Sequence, residues 1–184
     1  MTRPRGLFPI VVLAFGALWA RPIAMASLAR AMDLAELTHG ADQIVVADVV
    51  STESDWDKGH RNIYSTIELH VQERWKGTIP GDGRLRIRQL GGSVGDIEMT
   101  VAGMPRFETG ERALIFLRQA RVVGMAQGKR RVNWDGAGKR WLADAPDHAH
   151  LLDVDARRKP RAMAPMQPET LDRLREQVRA LVGD

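Results

Sequence analysis

The feature that most constrains this fold is the alternation of apolar and polar side chains over residues 62–74 (NIYSTIELHVQER), the clearest in the chain. Successive residues of a strand point to opposite faces of a sheet. An alternation of this length therefore predicts a long strand with one face in a core and the other in water. The face predicted to lie in the core carries Ile63, Ser65, Ile67, Leu69 and Val71.

Other strand patterns flank this one on both sides. Residues 43–54 contain a run of β-branched apolar side chains, which predicts a strand buried on both faces. Residues 84–90 alternate leucine and isoleucine with arginine, and residues 112–118 form the most apolar run, predicted as a central strand. Shorter strands are expected at residues 97–101, 122–123 and 130–133, with a hairpin turn at 135–138.

A short helix is expected before the first strand. Residues 27–38 carry leucine and methionine at helical spacing. Ser27 is a candidate N-cap, because its hydroxyl can accept a hydrogen bond from a free main-chain N–H of the first turn. Gly40 is expected to end the helix.

A second, amphipathic helix is expected at the C-terminal end, over residues 168–184. Pro168 suits the first turn of a helix and Gly183 suits its end. One face of this helix carries Leu171, Leu174, Val178 and Leu181. The preceding residues 144–167 are rich in proline, alanine and charge, which predicts a flexible connector.

These elements predict a mainly β architecture with antiparallel strands. No segment between the strands is long enough for the crossover helix that parallel neighbours need. One long strand, short partners and glycine-rich corners favour a small closed or partly open β-barrel of OB type. Residues 27–143 would form this domain with its preceding helix.

Residues 1–26 have the composition of a secretory signal peptide. Arg3 and Arg5 supply the positive start, residues 7–20 are apolar, and residues 24–26 (AMA) fit a signal peptidase site. The apolar run would span about 21 Å as a helix, short of the roughly 30 Å of a bilayer's hydrocarbon core. We therefore expect cleavage near Ala26, no membrane span after processing, and a periplasmic or extracellular protein.

The composition excludes several classes of chemistry. With no cysteine, the chain has no disulfide, no thiolate nucleophile and no thiolate metal ligand. The net charge is +4, with 27 basic and 23 acidic side chains. Loss of Arg3, Arg5 and Arg21 with the signal would leave 24 basic residues and a net charge of +1. A nearly neutral mature chain argues against a nucleic-acid partner.

Several short motifs occur in a fixed order, at residues 41–46, 64–69, 75–77, 91–92 and 110–117. This succession resembles a broad group of uncharacterised exported bacterial proteins. More remotely, it is similar to the netrin-like domain of the tissue inhibitors of metalloproteinases, an OB-type barrel. The likeness covers roughly residues 36–130. Those inhibitors are implied to chelate zinc through an N-terminal cysteine, which this chain lacks, so the resemblance implies architecture without an inhibitory residue.

Three arginines form the best-defined surface feature. Arg84, Arg86 and Arg88 project from one face of a strand at intervals of about 7 Å. Cross-strand pairing with Glu68 and its neighbours is the favoured interpretation. The alternative is a groove for an anionic ligand or nucleic acid, in which Tyr64 would be the outward-facing aromatic residue.

Tryptophan is enriched at protein interfaces. Trp56 belongs to a polar loop predicted at residues 55–61 and has no evident burial partner, so it is our first candidate for a partner-facing residue. Trp75, at a strand end, likewise has no evident partner in the sequence. Trp134 and Trp141 flank a turn and are expected to pair across a hairpin.

No catalytic, cofactor or metal motif stands out. His148 and His150 could hold a metal with Asp147 or Asp153, but the second ligand group of a recognised zinc pattern is missing. Ser93 follows two glycines, yet a nucleophile elbow needs a helix after the serine, and a strand is expected there.

We therefore expect an exported, non-catalytic binding or accessory module that contacts another protein. An enzyme of unrecognised type, or an OB-type barrel that binds an anionic ligand, remains the alternative. The carboxylates of Asp55 and Asp57 are expected to be solvated turn residues.

Overall fold

The computed structural model describes residues 29–138, 140–144, 151–154, 160–162 and 167–183. Residues 1–26, expected as the signal peptide, lie outside these ranges. The described helices are α1 (Leu34–Gly40), α2 (Leu171–Val182) and a 3₁₀ turn (Met125–Gly128). The described strands are β1 (Ala29–Arg30), β2 (Gln43–Trp56), β3 (Ile63–Lys76), β4 (Arg84–Leu90), β5 (Gly92–Val94), β6 (Ile97–Met99), β7 (Arg112–Arg118), β8 (Arg121–Val122), β9 (Lys129–Asp135), β10 (Arg140–Ala143), β11 (Leu151–Val154), β12 (Pro160–Ala162) and β13 (Glu169–Thr170).

Most of these strands form one antiparallel sheet with the order β13-β10-β9-β7-β2-β3-β4, and β8 pairs with β7. The mainly β fold with one helix near each end confirms the expected class. The sheet is open, with β13 and β4 as its edges, so the described strands do not close into the expected barrel. Strands β5 and β6 form a separate hairpin, and β1, β11 and β12 form a small third sheet.

Strands β2 and β7 lie at the centre and are buried on both faces, as their apolar runs predict. Val45 pairs with Ile115, and Val46 pairs with Leu114. All four side chains are buried although neighbouring residues point to opposite faces. Strand β2 continues to Trp56, because its second half pairs with β3 along its full length.

Two hydrophobic cores occupy the two faces of this sheet. The helix-side core joins α1 and α2 to the strands and contains Leu37, Ala41, Ile44, Val46, Leu114, Phe116, Val132, Ala143, Leu171, Leu174 and Val178. The second core contains Val45, Ala47, Val49, Ile67, Leu69, Ile87, Phe107, Ala113, Ile115 and Leu117. The prediction that one face of β3 lies in a core is confirmed, because Ile67 and Leu69 belong to the second core.

Helix α1 begins later than expected. Its N-cap is Asp33, whose Oδ1 accepts from the N–H of Glu36 at 2.7 Å, while Glu36 accepts from the N–H of Asp33 at 3.1 Å. The prediction of Ser27 as the N-cap is therefore wrong. This reciprocal capping box satisfies two free N–H groups, whereas a single hydroxyl satisfies one. The helix ends at Gly40, as predicted.

Helix α2 begins at Leu171, with Thr170 as its N-cap. Pro168 therefore precedes the helix, whereas we expected it in the first turn. Gly183 ends the helix with a φ of +72°, as predicted. The expected connector, residues 144–167, contains β11 and β12; its remaining residues after Asp144, apart from Gln167, lie outside the described ranges.

At two positions of the sequence motifs, a close contact leaves room for no residue larger than glycine. Gly77 has a φ of +79°, and a Cβ there would overlap the main-chain oxygen of Asp42. Gly92 has a φ of +135°, and a Cβ there would overlap the hydroxyl oxygens of Ser54 and Ser65. Glycine adopts such φ values without steric cost, so both positions exclude larger residues.

Leu174→Ala tests whether α2 is part of the core. Leu174 is fully buried, so its truncation should lower the free energy of unfolding by about 3 kcal/mol. Val182→Ala, on the exposed end of the same helix, should change it by about 0.5 kcal/mol or less. Urea unfolding measures both, and equal effects would show that α2 does not pack on the sheet.

Candidate interaction surface

The helices cover only part of one sheet face and leave the remainder open to solvent. In β7, Leu114 and Phe116 lie in the helix-side core. Arg112 lies on the same face by alternation but beyond that core, and it pairs with Asp48 of β2. We call this uncovered part of the helix-side face, from β10 across to β4, the open face.

The centre of the open face is a polar cluster around Asp48. Arg112 binds this carboxylate through two N–H groups, at 2.6 Å to Oδ1 and 2.9 Å to Oδ2. Gln72 donates to Asp48 Oδ2 at 2.9 Å and lies 3.1 Å from Nδ1 of His70. The hydrogen bond from Arg112 lowers the pKa of Asp48 below its ordinary value, and partial burial opposes that shift.

Two tryptophans adjoin this cluster. Trp134 and Trp141 form a cross-strand pair with ring centroids 5.2 Å apart and an edge-to-face geometry, which confirms the expected hairpin pairing. The Arg112 guanidinium lies 4.8 Å from the ring centre of Trp141. Both rings remain accessible, with 54% of Trp134 and 38% of Trp141 exposed. Sequence reasoning predicted the pairing but missed the exposure.

The three arginines of β4 occupy the opposite end of the open face. Arg86 forms an ion pair with Glu68, which confirms the cross-strand interpretation for this residue. Arg88 lies over the ring of Tyr64 at 4.1 Å from its centre. Arg84 forms no side-chain ion pair with any described residue. Charge pairing therefore accounts for one arginine of the three.

Trp56 does not lie with the other candidates. A bulge between Val49 and Ser51 changes the pairing of β2, so that Asp55 lies opposite Tyr64 and Trp56 lies opposite Ile63. Trp56 consequently points to the other face of the sheet. It is half-buried, and its role as a contact residue stays a prediction.

The polar loop beside Trp56 is held by its own hydrogen bonds. The ring of Trp56 lies 6.0 Å from that of His60. Asp57 accepts from the main-chain N–H groups of Gly59 and Arg61, and the Arg61 bond lowers the pKa of Asp57. The carboxylate of Asp57 thus acts as a turn residue, as expected. The same expectation is wrong for Asp55, which lies within β2 opposite Tyr64, because the pairing of β2 with β3 continues to Trp56.

Trp75 holds α2 against the sheet. Its Nε1 donates to Glu73 at 3.1 Å, and Arg175 of α2 binds the same carboxylate oxygen at 2.6 Å. The Arg175 guanidinium lies 5.7 Å from the Trp75 ring centre, and the ring packs against the helix-side core. Trp75 is therefore a structural residue within the domain.

The described residues contain no group of three or more histidine, aspartate or glutamate side chains placed to hold a metal. His148 and His150 lie outside the described ranges, so the metal interpretation of that segment stays a prediction. Ser93 lies in β5 and is followed by β6 rather than by a helix, which confirms the hairpin interpretation.

A polar cavity of about 460 Å³ lies beside the β5–β6 hairpin. Its wall includes Ser54 and Ser65, whose hydroxyl oxygens lie 2.9 Å apart. Ser65 donates to the carbonyl oxygen of Gly91 at 2.7 Å. None of the described histidines lines this cavity, so among the described residues neither hydroxyl has the adjacent imidazole base that commonly activates a serine nucleophile.

No family model, curated protein or solved structure matches this chain. The resemblance to netrin-like domains therefore stays a prediction. Among the residues that the structure describes, no helix combines the length and apolar character needed to cross a membrane.

Asp48→Asn tests the polar cluster through the pH dependence of stability. The folded pKa of Asp48 is lowered, so its ionised form stabilises the protein above the unfolded pKa of roughly 3.9. We expect the variant to be about 1 kcal/mol less stable than wild type at pH 7. The difference should shrink as the pH falls through the folded pKa.

Denaturant unfolding between pH 7 and pH 3 measures this difference. Asp96→Asn is the matched control, because Asp96 is exposed in the β5–β6 turn. Its effect should be small at every pH. A wild-type advantage over Asp48→Asn that stays constant down to pH 3 would contradict the assigned ion pair.

Proposed function

We propose that this chain is a non-catalytic binding module that contacts another protein through its open face. The observation that carries this proposal is the exposure of Trp134 and Trp141 beside a paired-charge cluster. Large aromatic residues dominate the binding energy of many protein interfaces, and Trp is among the most enriched. An exposed Trp pair on a sheet is a ready anchor for such an interface.

The tryptophan pair is held in place before any partner binds. Asp48 fixes the guanidinium of Arg112 by two hydrogen bonds, and Arg112 in turn lies over Trp141. Trp141 then supports Trp134 across the hairpin. A pre-organised anchor loses little side-chain freedom on binding, so more of its contact energy contributes to affinity.

The charges of the open face favour a protein over a nucleic acid. Asp48 and Glu68 lie among its arginines, and Glu53 and Asp55 are exposed on the neighbouring part of β2. A phosphate backbone selects a surface of one positive sign. A surface of mixed sign with aromatic residues is typical of protein contacts.

Export of this module is part of the proposal. Its support is the composition of residues 1–26, with a basic start, an apolar run and small residues at 24 and 26. N-terminal sequencing of the protein made from the full chain should begin at Ser27. Recovery of intact precursor in the cytosol would contradict export. The netrin-like, OB-type relationship is also proposed, supported by the order of the sequence motifs.

Trp134→Ala tests the binding surface. The variant should bind the partner at least about tenfold more weakly, because removal of a central tryptophan anchor commonly costs 2 kcal/mol or more. The measurement is quantitative cross-linking of the full chain in its native compartment, with wild type and variant compared at equal concentration. A circular dichroism spectrum like that of wild type would show that the fold is intact.

Ile97→Ala is the matched control. Ile97 is exposed to the same extent as Trp134, at 54%, but it lies on the β5–β6 hairpin away from the open face. This variant should cross-link like wild type. Equal yields for wild type and Trp134→Ala, or equal losses in both variants, would reject the open face as the contact surface.

A further inference from the structure

Strand β4 ends the sheet, and no strand among the described residues is hydrogen-bonded to its outer edge. Its inner edge pairs with β3 from Arg84 to Leu90 without a register shift. A free edge presents main-chain N–H and C=O groups that can pair with another chain. The β4 edge is therefore a candidate for strand addition.

The main-chain groups that point outward can be identified from two hydrogen bonds. Gly91 N–H donates to Ile63 O and Val71 N–H donates to Gly83 O, each at 2.8 Å. Hydrogen-bonded pairs alternate along an antiparallel ladder, so the odd-numbered residues of β4 bond to β3. The even-numbered residues then direct their N–H and C=O groups away from the sheet.

The outward main-chain N–H and C=O groups of Arg86 and Arg88 have no partner among the described residues. No described residue forms a hydrogen bond to the main chain of either arginine on its outer side. At the start of the strand, the N–H of Arg84 is already used, because Asp82 Oδ1 accepts from it at 3.1 Å. Two consecutive outward positions thus stand ready for an incoming strand.

The arginine side chains select the charge of such a strand. Residues paired across two antiparallel strands carry their side chains on the same face, so residues opposite Arg84, Arg86 and Arg88 would meet guanidinium groups. Glu68 neutralises Arg86, but neither Arg84 nor Arg88 has a carboxylate partner among the described residues. Acidic side chains fit these positions best.

A cavity of about 310 Å³ adjoins the β4 edge, next to where the alternate residues of an added strand would lie. Its walls come from β3, β4, β8, the 3₁₀ turn and the loop before β7. The apolar members are Ile87, Leu90, Met104, Pro105, Val122 and Met125, and the polar members are Tyr64, Arg88, Gln89 and Arg121. These walls are mainly apolar. Apolar side chains therefore fit the alternate positions.

We infer that the free edge of β4 binds an extended segment of a partner protein that alternates acidic and apolar residues, and adds it to the sheet as a strand. Main-chain hydrogen bonds to Arg86 and Arg88 supply affinity, and the arginines and the cavity supply specificity. This site lies at the other end of the open face from Trp134, so an experiment can reject either proposed contact without rejecting the other.

The probe is a synthetic ten-residue peptide that alternates glutamate and valine, titrated into the ¹⁵N-labelled full chain. Bound peptide should slow amide hydrogen exchange at Arg86 and Arg88 at least tenfold and leave Ile87, already bonded to β3, unchanged. A peptide that alternates lysine and valine should not bind. Binding without protection of Arg86 and Arg88, equal binding of the lysine peptide, or no binding would each overturn the inference.

Charge reversal completes the test. Arg88→Glu, or Arg84→Glu should the former variant fail to fold, is expected to weaken binding of the glutamate peptide at least tenfold. Arg179→Glu is the matched control, because Arg179 is an exposed arginine on α2, away from β4. This variant should bind the glutamate peptide with the affinity of wild type. Trp134→Ala should also bind the peptide like wild type. A loss in either of these last two variants would show that the peptide does not bind at β4.

Discussion

The burial of β2 and β7 on both faces is the constraint on which the rest of this structure depends. Each of these strands gives one set of side chains to the helix-side core and the alternate set to the second core. A shift of register by one residue would exchange the two sets and place every side chain against the wrong neighbours. Burial on both faces therefore ties the register of β2 and β7 to the packing of both cores.

That register determines what lies on the open face. Once Val46 and Leu114 pair beneath the helices, Asp48 and Arg112 must pair just beyond them. Arg112 then orients Trp141 and, through it, the exposed Trp134. The same ladder continues through β3 to β4. The positions of the proposed contact residues thus follow from the register that the two cores set.

The C-terminal helix is bound to the sheet by charges as well as by its apolar face. Arg130 is buried, and burial lowers its pKa. Its side chain donates to Asp144 O at 2.6 Å and lies 3.6 Å from Glu169, just before α2. A buried charge with its partner removed is strongly destabilising, so this contact favours one position of the chain end. Arg175 makes the second connection, through Glu73.

The strands were the most predictable part of the fold, because their signal is local. The bounds at 84–90 and 112–118 follow directly from alternation and apolar runs. The start of α1 was missed because a capping box at Asp33 competed with a serine further upstream. Barrel closure could not be read from the strands, since it depends on whether the two edges meet.

The candidate site was predictable only in part. Pairing of Arg86 with Glu68 follows from neighbouring strands, and pairing of Trp134 with Trp141 follows from a turn between them. The exposure of that pair depends on how far the helices extend over the sheet, which no local pattern encodes. The bulge after Val49 likewise separates Trp56 from the arginines, and nothing in the apolar run marks it.

The register of β2 against β7 can be measured most directly by methyl nuclear Overhauser effects in the full chain. The structure predicts cross-peaks between Val46 and Leu114 and between Val45 and Ile115, on opposite faces of the sheet. Cross-peaks of Val46 with Ile115 in place of Leu114 would show a slipped register. Both cores, and the surface that they position, would then be contradicted.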